Sequence, residues 1–390
     1  MVLFETLVFY YFAASVLYVF VLAIAGCTYK PKHYKKSSLK KIAVFVPGYK
    51  EDGVIYFVAE KLSQLQYPKD FFDIIVIADS FKSETLQKLS QLPITLMPVK
   101  FEKSSKAKSL NYALETLTES YDIAVILDAD NVTQPDFLVR INDVINSGIS
   151  VVQAQRVAKN TNTSFAILDA CSEAINNHIF RKGPNALGLS SSLIGSGMAF
   201  NFALLKDILP KIESVYEDRE LQFELARRGH KITYLDGVLV YDEKIDNSAS
   251  FQNQRRRWLF AQFETLIHNF IPGHIMLAKG NLNFYNFSVL NNLFPPRIMT
   301  LVLLFIISVT TAILQTNLFI YWGILFFIFC VTLAISIPAQ LYNKNLLIAI
   351  FSIPRAFTKM FFALFKLKGA RTFIHTTHTK VDVDSVFKSK

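Results

Sequence analysis

The stretch Ile123-Ala124-Val125-Ile126-Leu127-Asp128-Ala129-Asp130 joins a short apolar run to two acidic residues. A run of this length between polar residues is typical of a buried strand. Similar runs are Ile42–Val46, Ile74–Ala78 and Val151–Ala154, and longer amphipathic segments lie between them at Val54–Leu65, Lys106–Leu117 and Pro135–Ile145. This alternation predicts an α/β fold with a mostly parallel sheet and flanking helices, in which ligands bind at the carboxyl ends of the strands.

The composition indicates membrane segments beside this α/β region. Hydrophobic residues make up 52% of the 390-residue chain and charged residues 18%, which fits neither a purely soluble protein nor a pure membrane bundle. Leu7–Ala25 carries no charge and is long enough to cross a bilayer as a helix. Ile298–Leu314 and Leu318–Ile337 are two further predicted spans, and the short turn Gln315–Asn317 predicts a tight hairpin. We therefore expect a multi-pass membrane protein.

Two other apolar segments are predicted to lie in the membrane surface. Leu346–Phe365 is interrupted by Pro354, Arg355 and Lys359. Because charges within a span are costly, a re-entrant or interfacial helix suits this segment better than a full span. The segment from Arg255 to about Phe270 has apolar side chains at helical spacing and predicts an interfacial helix.

The net charge of +10 includes a basic cluster directly after the first span. Its lysines are Lys30, Lys32, Lys35, Lys36, Lys40 and Lys41. That placement is typical of a cytoplasmic collar beside anionic lipid and argues against a nucleic-acid partner. A cleaved signal peptide is disfavoured because Glu5, and no Lys or Arg, precedes the apolar run. With the collar inside, we expect the α/β domain and the tail with Lys366, Lys368 and Arg371 to be cytoplasmic, at the plasma (inner) membrane.

The predicted organisation has five parts. These are an N-terminal transmembrane helix (1–28), a cytoplasmic α/β domain (29–252), interfacial helices (253–297), a transmembrane hairpin (298–338), and a re-entrant or interfacial helix with a cytoplasmic tail (339–390). Ionisable residues inside the spans would indicate a transporter, and the three predicted spans contain none. The three scattered cysteines indicate neither a disulfide framework nor a zinc site.

Asp128 and Asp130 end the run that begins at Ile123. In an extended backbone residues two apart project to the same side, so both carboxylates are expected to face the ligand crevice. Two hard oxygen ligands suit Mg²⁺ or Mn²⁺ and leave the ion free to bind a diphosphate. An acidic pair at a strand end is also common as a solvated turn or helix cap, so the pair alone does not decide.

Asp79 ends another predicted strand. Pro47 and Gly48 stop the strand before it at a turn where a base can approach the backbone closely. Asp79 can accept a hydrogen bond from the imide of a uracil, or it can cap the helix that follows. The local sequence leaves both roles open.

Two motifs later in the chain also suggest chemistry. Asp218 precedes a predicted helix that ends at Gly229, and it is a helix cap, a carboxylate facing the crevice, or both. Near a sugar hydroxyl it can act as a general base. In Gln254–Trp258, Arg257 can neutralise a departing diphosphate and Trp258 offers a flat face for a sugar ring, although a basic cluster at a membrane surface explains the motif as well.

In chain order, these motifs resemble those of the family-2 inverting glycosyltransferases, in particular the membrane-integrated hyaluronan, chitin and cellulose synthases. The resemblance covers about Lys41 to Trp258. It rests on Val46–Glu51, Asp79, Lys106–Asn111, Asp128–Asp130, Gly195–Phe200, Glu217–Asp218 and Gln254–Trp258. Departures are Lys50, where the family commonly has Asn, and Tyr216, which replaces Thr. The predicted membrane spans are also fewer than in those synthases.

The resemblance implies a GT-A fold and transfer of a sugar, with inversion, from a nucleotide-diphosphate sugar such as a UDP-sugar to a growing polysaccharide or oligosaccharide. The resemblance assigns donor binding to Pro47, Tyr49, Glu51, Asp79, Lys106, Asp128 and Arg257, and it makes Asp128 and Asp130 the ligands of Mg²⁺ or Mn²⁺. It assigns acceptor binding to Gly195, Ser196, Gly197, Gln254 and Trp258. The catalytic base that it implies is Asp218, next to Glu217.

The acceptor stays open at this stage. Transfer of one sugar to a lipid, such as a ceramide or a polyprenyl carrier, is a close alternative, because the interfacial helix and the few pore-forming helices favour it. The sugar, the linkage, the processivity, and any homo-oligomer or export partner are likewise undecided by sequence.

Overall fold

The computed structural model describes residues 2–212, 214, 216–244 and 248–364. These residues form two compact units. The α/β unit contains residues 31–160 and 190–244, and the helical unit contains the described residues up to 30, residues 161–189 and residues 248–364. The sequence assigned 161–189 to the α/β domain. This segment instead belongs to the helical unit because Ile175 and Ile179 are buried against Val16 and Leu22.

One eight-stranded sheet forms the centre of the α/β unit, in the order β3-β2-β1-β4-β7-β6-β8-β5. The strands are β1 Ile42–Tyr49, β2 Phe72–Asp79, β3 Thr95–Val99, β4 Ile123–Ile126, β5 Val132–Thr133, β6 Val151–Ala158, β7 Met198–Asn201 and β8 Ile232–Asp242. The pairs β1–β2, β1–β4, β2–β3 and β6–β8 are parallel, whereas β4–β7, β6–β7 and β5–β8 are antiparallel. The predicted α/β class, with a mostly parallel sheet, is confirmed.

The α-helices of the described residues are, in chain order, α1 Val2–Thr28, α2 Ile55–Ser63, α3 Ser83–Leu89, α4 Lys106–Thr116, α5 Phe137–Asn146, α6 Ser164–Asn176, α7 Gly183–Ala186, α8 Phe202–Ile208, α9 Glu217–Arg227, α10 Ser248–Ala278, α11 Leu282–Tyr285, α12 Asn291–Leu293, α13 Arg297–Leu314, α14 Phe319–Ile335, α15 Lys344–Ile350 and α16 Ile353–Leu364. Helices α2, α4 and α5 confirm three predicted helices. Their apolar faces cover the sheet: Leu62 and Ile141 pack in one core with Val44, Val125 and Val152.

In the helical unit, α1, α13 and α14 share a core that includes Val16, Leu304 and Trp322. The predicted hairpin is present: Gln315 ends α13 in the left-handed conformation, with φ of 48°, and Ser308 Oγ donates to the Trp322 carbonyl across the pair over 3.0 Å. Thr316 in the turn donates to Glu5 over 2.7 Å. The start of α1 and the hairpin turn therefore lie at the same end of this unit.

Among the described residues, two helices are long and apolar enough to cross a membrane, Leu3–Thr28 and Arg297–Leu314, and Phe319–Ile335 is apolar but shorter. Large apolar side chains such as Leu7 and Ile313 are exposed on them. An exposed apolar surface of this kind suits lipid contact.

The segments predicted to be interfacial are also helical. Helix α10 begins at Ser248 and extends past the predicted end near Phe270 to Ala278. The predicted segment Leu346–Phe365 is divided into α15 and α16. Pro354 falls in the first turn of α16, where its missing N–H costs no helical hydrogen bond. The basic tail with Lys366, Lys368 and Arg371 lies outside the described residues.

Candidate active site

The first two strands bring Tyr49 and Asp79 together at the carboxyl edge of the sheet. They are register partners at the ends of β1 and β2, and the Lys50 N–H donates to the Asp79 carbonyl over 3.1 Å. Helix α3 has Lys82 at its N-cap. The alternative role of Asp79 as a helix cap is therefore wrong, because the chain makes a turn at Ser80, with φ of 60°, before the helix begins.

The Asp79 carboxylate is buried with one oxygen still able to accept a hydrogen bond. Its Oδ1 accepts from the Ser80 hydroxyl over 2.9 Å. Its Oδ2 is buried and has no donor among the described residues. A buried acceptor without a donor costs free energy. The N–H of a bound ligand, such as the imide predicted from the sequence, fits this position.

Gly48 lets the end of β1 pack against the acidic turn. A Cβ at this position would lie 2.8 Å from Cζ of Phe81 and 3.3 Å from Cβ of Ala129. The second distance is tighter than an ordinary contact, so a side chain at Gly48 would push against the Asp128–Asp130 segment. Pro47 precedes it within the strand as the register partner of Ile77, and β1 continues to Tyr49, so the expectation that Pro47 and Gly48 stop the strand is wrong.

Asp128-Ala129-Asp130 forms a turn and not an extended strand. Strand β4 ends at Ile126, and the Asn131 N–H closes the turn by donating to the Asp128 carbonyl over 2.9 Å. The expectation that the two carboxylates project together from an extended backbone is therefore wrong. Asp128 is partly exposed, whereas Asp130 is buried.

Lys106 connects three parts of the chain at this site. It is the first residue of α4, whose N-cap Ser105 accepts from the Lys108 N–H over 3.2 Å. The Lys106 ammonium forms an ion pair with Asp128 and donates to the Gly195 carbonyl over 2.7 Å. It also lies 3.8 Å from Glu217 Oε1. One cation thus faces two carboxylates and a carbonyl.

Glu217 and Asp218 occupy the first turn of α9, and Tyr216 is the N-cap. Asp218 is therefore not the helix cap. It is a carboxylate held at the helix start, as in the other interpretation. A Cβ at Gly195 would lie 3.7 Å from Asp218 Oδ2, 3.8 Å from Lys106 Nζ and 3.9 Å from Glu217 Oε1. The side chains of these three residues consequently surround one glycine.

The protonation of this cluster follows from burial and charge. Burial raises the pKa of Glu217 to about 7; the Lys106 ammonium opposes this shift, and Asp218 adds to it. Burial lowers the pKa of Lys106, but the charges of Asp128 and Glu217 raise that pKa by more. Lys106 therefore keeps its charge, whereas Glu217 exchanges its proton near neutral pH.

Ser196 and Gly197 are packed inside the unit. The Ser196 hydroxyl is buried, accepts from the Asp128 N–H over 2.9 Å and donates to Asn131. A Cβ at Gly197 would lie 2.8 Å from Val240 Cγ2. Direct contact of Ser196 or Gly197 with an acceptor does not fit this burial. Ser196 instead supports the acidic turn and Gly197 packs against Val240, which leaves Gly195 as the member of this segment that faces the site.

Asp130 belongs to a second polar cluster. It accepts from Asn131 Nδ2 over 3.0 Å and from the Glu243 N–H over 3.3 Å. The same Asn131 nitrogen donates to Asp242 Oδ1 over 3.2 Å. Lys244 pairs with Asp242 over 2.7 Å. Asn131 therefore links the two carboxylates.

Sequence reasoning missed Asp242, the last residue of β8, although a signal was present. Asp242 directly follows the apolar run of a strand, the same pattern that singled out Asp79 and Asp128. The missed Lys159 is buried and donates to the Asp130 carbonyl. Nothing in the spacing of the sequence marks that contact.

The chemistry of the acidic turn suits a divalent cation. Among the described residues, no group of three or more His, Cys, Asp or Glu side chains is placed to hold a metal ion. Asp128 and Asp130 supply hard oxygen ligands. Mg²⁺ in particular is often bound by one or two carboxylates and completes its coordination with water and substrate phosphates. The residues present therefore fit an ion that is held jointly with a diphosphate.

Gln254, Arg257 and Trp258 lie on α10, in the helical unit. Trp258 is 38% exposed. The Arg255 guanidinium lies 4.3 Å from the centroid of its ring. The contribution of these residues to donor and acceptor binding stays a prediction.

The chain belongs to the glycosyltransferase family described as Glycosyltransferase like family 2, whose model matches residues 40–261. The matched segment contains every residue placed above from Pro47 to Trp258. Membership of the narrower group of hyaluronan, chitin and cellulose synthases does not follow from this match.

The chain is similar to two curated bacterial proteins. A "Beta-monoglucosyldiacylglycerol synthase" of Trichormus variabilis is 25% identical over 240 residues, which cover 59% of this chain and 51% of that protein. The chain thus spans about half the length of that relative. "Probable glycosyltransferase YdaM" of Bacillus subtilis is 20% identical over 335 residues, 79% of this chain and 76% of that one.

Among solved structures, the fold is similar to that of the mannosyltransferase PcManGT from Pyrobaculum calidifontis, in complex with GDP-Man and Mn²⁺. The TM-score is 0.53 at 16% sequence identity, and the match covers 87% of this chain and 98% of the other. This likeness shows a shared GT-A fold.

Proposed function

We propose that this protein is a membrane-bound glycosyltransferase that moves a sugar from a nucleotide-diphosphate sugar to an acceptor with inversion. The observation that carries the proposal is the meeting of Lys106, Asp128 and Glu217 around Gly195, with Asp218 against the same glycine. A fixed cation and several carboxylates around one small residue provide both charge stabilisation and proton transfer.

The donor binds at the carboxyl ends of β1 and β2, where α/β sheets bind ligands. The free Oδ2 of Asp79 accepts from the base. Tyr49, its register partner, offers an aromatic face beside the base, and we assign Pro47, near the end of β1, and Glu51, just after it, to the same donor site. A uracil imide N–H suits the single buried acceptor, which supports a UDP-sugar.

Asp128 and Asp130 would hold Mg²⁺ or Mn²⁺, and the ion would supply positive charge for the departing diphosphate. Lys106 keeps Asp128 in place through their ion pair. Ser196 holds the backbone of the same turn through the Asp128 N–H. The turn is thus fixed before the donor arrives, so little free energy is lost in ordering it.

Asp218 is the base that takes the proton from the acceptor hydroxyl. Its Oδ2 lies against Gly195, where a missing side chain leaves space for a substrate atom. Burial raises the pKa of Glu217 to about 7, so Glu217 is protonated below that pH. It donates a hydrogen bond when it is protonated and accepts one when it is ionised. The two neighbouring carboxyls therefore have different roles.

Two acceptors are compatible with this site. A growing polysaccharide or oligosaccharide chain is the first candidate, for which Gln254 and Trp258 are the proposed acceptor residues and Arg257 is a proposed donor residue. A lipid is the second candidate, and it is favoured by the name of the Trichormus relative, which is a diacylglycerol glucosyltransferase by that name. We propose a homo-oligomer or an export partner only together with the first candidate.

We propose that the α/β unit is cytoplasmic. The lysines after α1 favour that side, and the contact between Glu5 and Thr316 places the hairpin turn at the opposite end of α1 from them. A cysteine placed at Thr316 is expected to react with an impermeant maleimide in intact cells, and one placed at Ser37 only after permeabilisation. The reverse labelling pattern would put the site on the side that lacks nucleotide sugars.

The decisive experiment supplies membranes with radiolabelled nucleotide sugars and Mn²⁺ and separates lipid-soluble from polymeric product. Transfer is expected with a UDP-sugar and is expected to stop in excess chelator. Asp130→Asn should abolish transfer while the protein still inserts, whereas Asp70→Asn, an exposed aspartate outside the site, should not. Full transfer in excess chelator would contradict the requirement for a divalent cation. The absence of transfer from any nucleotide sugar would contradict the proposed glycosyltransferase activity.

A further inference from the structure

Three arginines lie close together in the helical unit, and two acids pair with them among the residues that the structure describes. Arg181 pairs with Glu173 over 3.0 Å, and Arg255 pairs with Asp169. Both pairs are buried. Arg297, the first residue of α13, is the third arginine of this arginine cluster (Arg181, Arg255 and Arg297).

Arg297 has weak polar contacts, and none of the described acidic side chains forms an ion pair with it. Its Nη2 donates to the Ser172 carbonyl over 3.3 Å and to the Ser172 hydroxyl over 3.4 Å. Its Nη1 is buried and has no acceptor among the described residues. The charged side chains that act on it are Arg255 and Arg181, which repel it, and Glu173, which already pairs with Arg181. The guanidinium of Arg297 is therefore the surplus cation.

The position of Arg297 in its helix adds a second, independent preference for an anion. Helix α13 is preceded by Pro296, has no side-chain cap and has no acid in its first turn. The first N–H groups of a helix lack partners within it, and this end carries the positive pole of the helix dipole. A cation at this end is unfavourable, whereas an anion is attracted by the free N–H groups and by the arginine together.

We propose that the arginine cluster, through Arg297 and the start of α13, binds the phosphate group of a lipid headgroup. A guanidinium fork matches phosphate oxygens in bidentate geometry. The site lies at the end of an apolar helix of membrane-spanning length, where lipid headgroups are expected. The negative surface potential of anionic lipids lowers the concentration of free anions at that position. The Phe180 ring, 5.6 Å from the guanidinium, and the packing of Met299 on Phe165 give the site apolar walls that suit acyl chains.

The test uses the full-length protein in neutral detergent micelles and follows its melting temperature. The probes are dioctanoyl phosphatidic acid, dioctanoylglycerol, which has the same chains without phosphate, and inorganic phosphate at matched ionic strength. Phosphatidic acid is expected to raise the melting temperature saturably, and the other two are not. An equal response to inorganic phosphate would overturn the lipid as the source of the anion, and an equal response to dioctanoylglycerol would overturn the phosphate site.

Arg297→Gln is expected to weaken the response to phosphatidic acid by at least about tenfold in concentration, because a charge-assisted contact is lost. Without lipid it should melt no lower than wild type, since it removes an uncompensated charge. An arginine with a purely structural role would instead melt lower. Arg355→Gln, an exposed arginine of α16 in the same unit, is the matched control and should respond as wild type.

Arg297→Lys keeps the positive charge but lacks the planar guanidinium that binds phosphate in bidentate geometry. It is the test variant to use if Arg297→Gln does not fold. It is expected to fold and to bind phosphatidic acid more weakly than wild type. Identical titrations of wild type and the folded Arg297 variants would overturn the proposal.

Discussion

Lys106 donates a hydrogen bond of 2.7 Å to the carbonyl oxygen of Gly195, and this contact ties the start of α4 to the segment that precedes β7. The two residues are 89 positions apart in the chain. The same ammonium forms an ion pair with Asp128 and lies near Glu217. A single side chain thus sets the positions of the acidic turn and of the first turn of α9.

Replacing Lys106 with Gln is expected to cut the transfer rate by about 10² or more, because charge stabilisation at a preorganised site is lost. The amide carries no charge and cannot balance Asp128 or Glu217. Steady-state kinetics with the nucleotide sugar measure the loss, which should fall mainly on kcat. Lys108→Gln on the exposed face of the same helix is the control and should keep the wild-type rate. Equal rates for the two variants would contradict the role of Lys106.

Gly195→Ala tests how closely the site is packed around this glycine. Its backbone has φ of 81°, and a Cβ would lie 3.7 to 3.9 Å from Asp218, Lys106 and Glu217. We expect a loss of about 1–2 kcal/mol in stability from the left-handed backbone and a fall in transfer rate from the occupied space. Gly229→Ala has φ of 77° and nothing within 4 Å, so it should lose similar stability with an unchanged rate. Thermal melts and rates of both variants separate the two effects.

Much of this arrangement could be predicted from the sequence, because apolar runs that end in Asp mark the carboxyl edge of a parallel sheet. Asp79 and Asp128 were found in this way. Asp242 carries the same pattern at the end of β8 and was missed. The burial of Ser196 could not be foreseen, since it depends on hydrogen bonds to Asp128 and Asn131 that only the folded chain brings together.

The boundaries between the two structural units also could not be predicted from the sequence, because long-range packing sets them. Residues 161–189 contain no span, yet Ile175 and Ile179 are buried against α1 and draw the segment into the helical unit. The sequence left a helix cap open as one role for Asp79 and for Asp218, and the structure excludes it in both cases for a local reason. The N-cap of α3 is Lys82, three residues after Asp79, and the N-cap of α9 is Tyr216, two residues before Asp218.

Glu217→Gln is expected to change how stability depends on pH. The folded protein raises the pKa of Glu217 from 4.5 to about 7, so it holds a proton that the unfolded chain releases between those values. Wild-type stability should therefore fall as pH rises through this window, by an amount on the order of 1 kcal/mol or more. The amide cannot ionise, so the free energy of unfolding of the variant should increase relative to that of wild type up to about pH 7. Below about pH 4.5 this relative increase should be absent. Urea unfolding at several pH values measures the difference, and Glu84→Gln on an exposed face of α3 is the control. Parallel profiles for wild type and Glu217→Gln would contradict the raised pKa.

Asp218→Asn separates a catalytic base from a structural carboxylate. Asp218 lies in the first turn of α9, where the helix dipole favours a negative charge, and its Oδ1 accepts from the Arg219 N–H over 2.8 Å. Asn keeps the acceptor but loses the charge, so the stability cost is expected to stay within about 1 kcal/mol. The amide cannot take a proton from an acceptor hydroxyl, and the transfer rate should drop by about 10² to 10⁴.

Glu220→Gln is the matched control for that variant, because it removes another carboxylate from the same first turn of α9. It should lose a similar amount of stability and keep the wild-type rate. Donor binding, measured by titration with the nucleoside diphosphate and Mn²⁺, should be unchanged in both variants, since neither carboxylate is a donor contact. If Asp218→Asn keeps most of its transfer rate, Asp218 only supports the helix, and Glu217 becomes the first residue to test as the base, because it lies on the same side of Gly195 and takes up a proton near neutral pH.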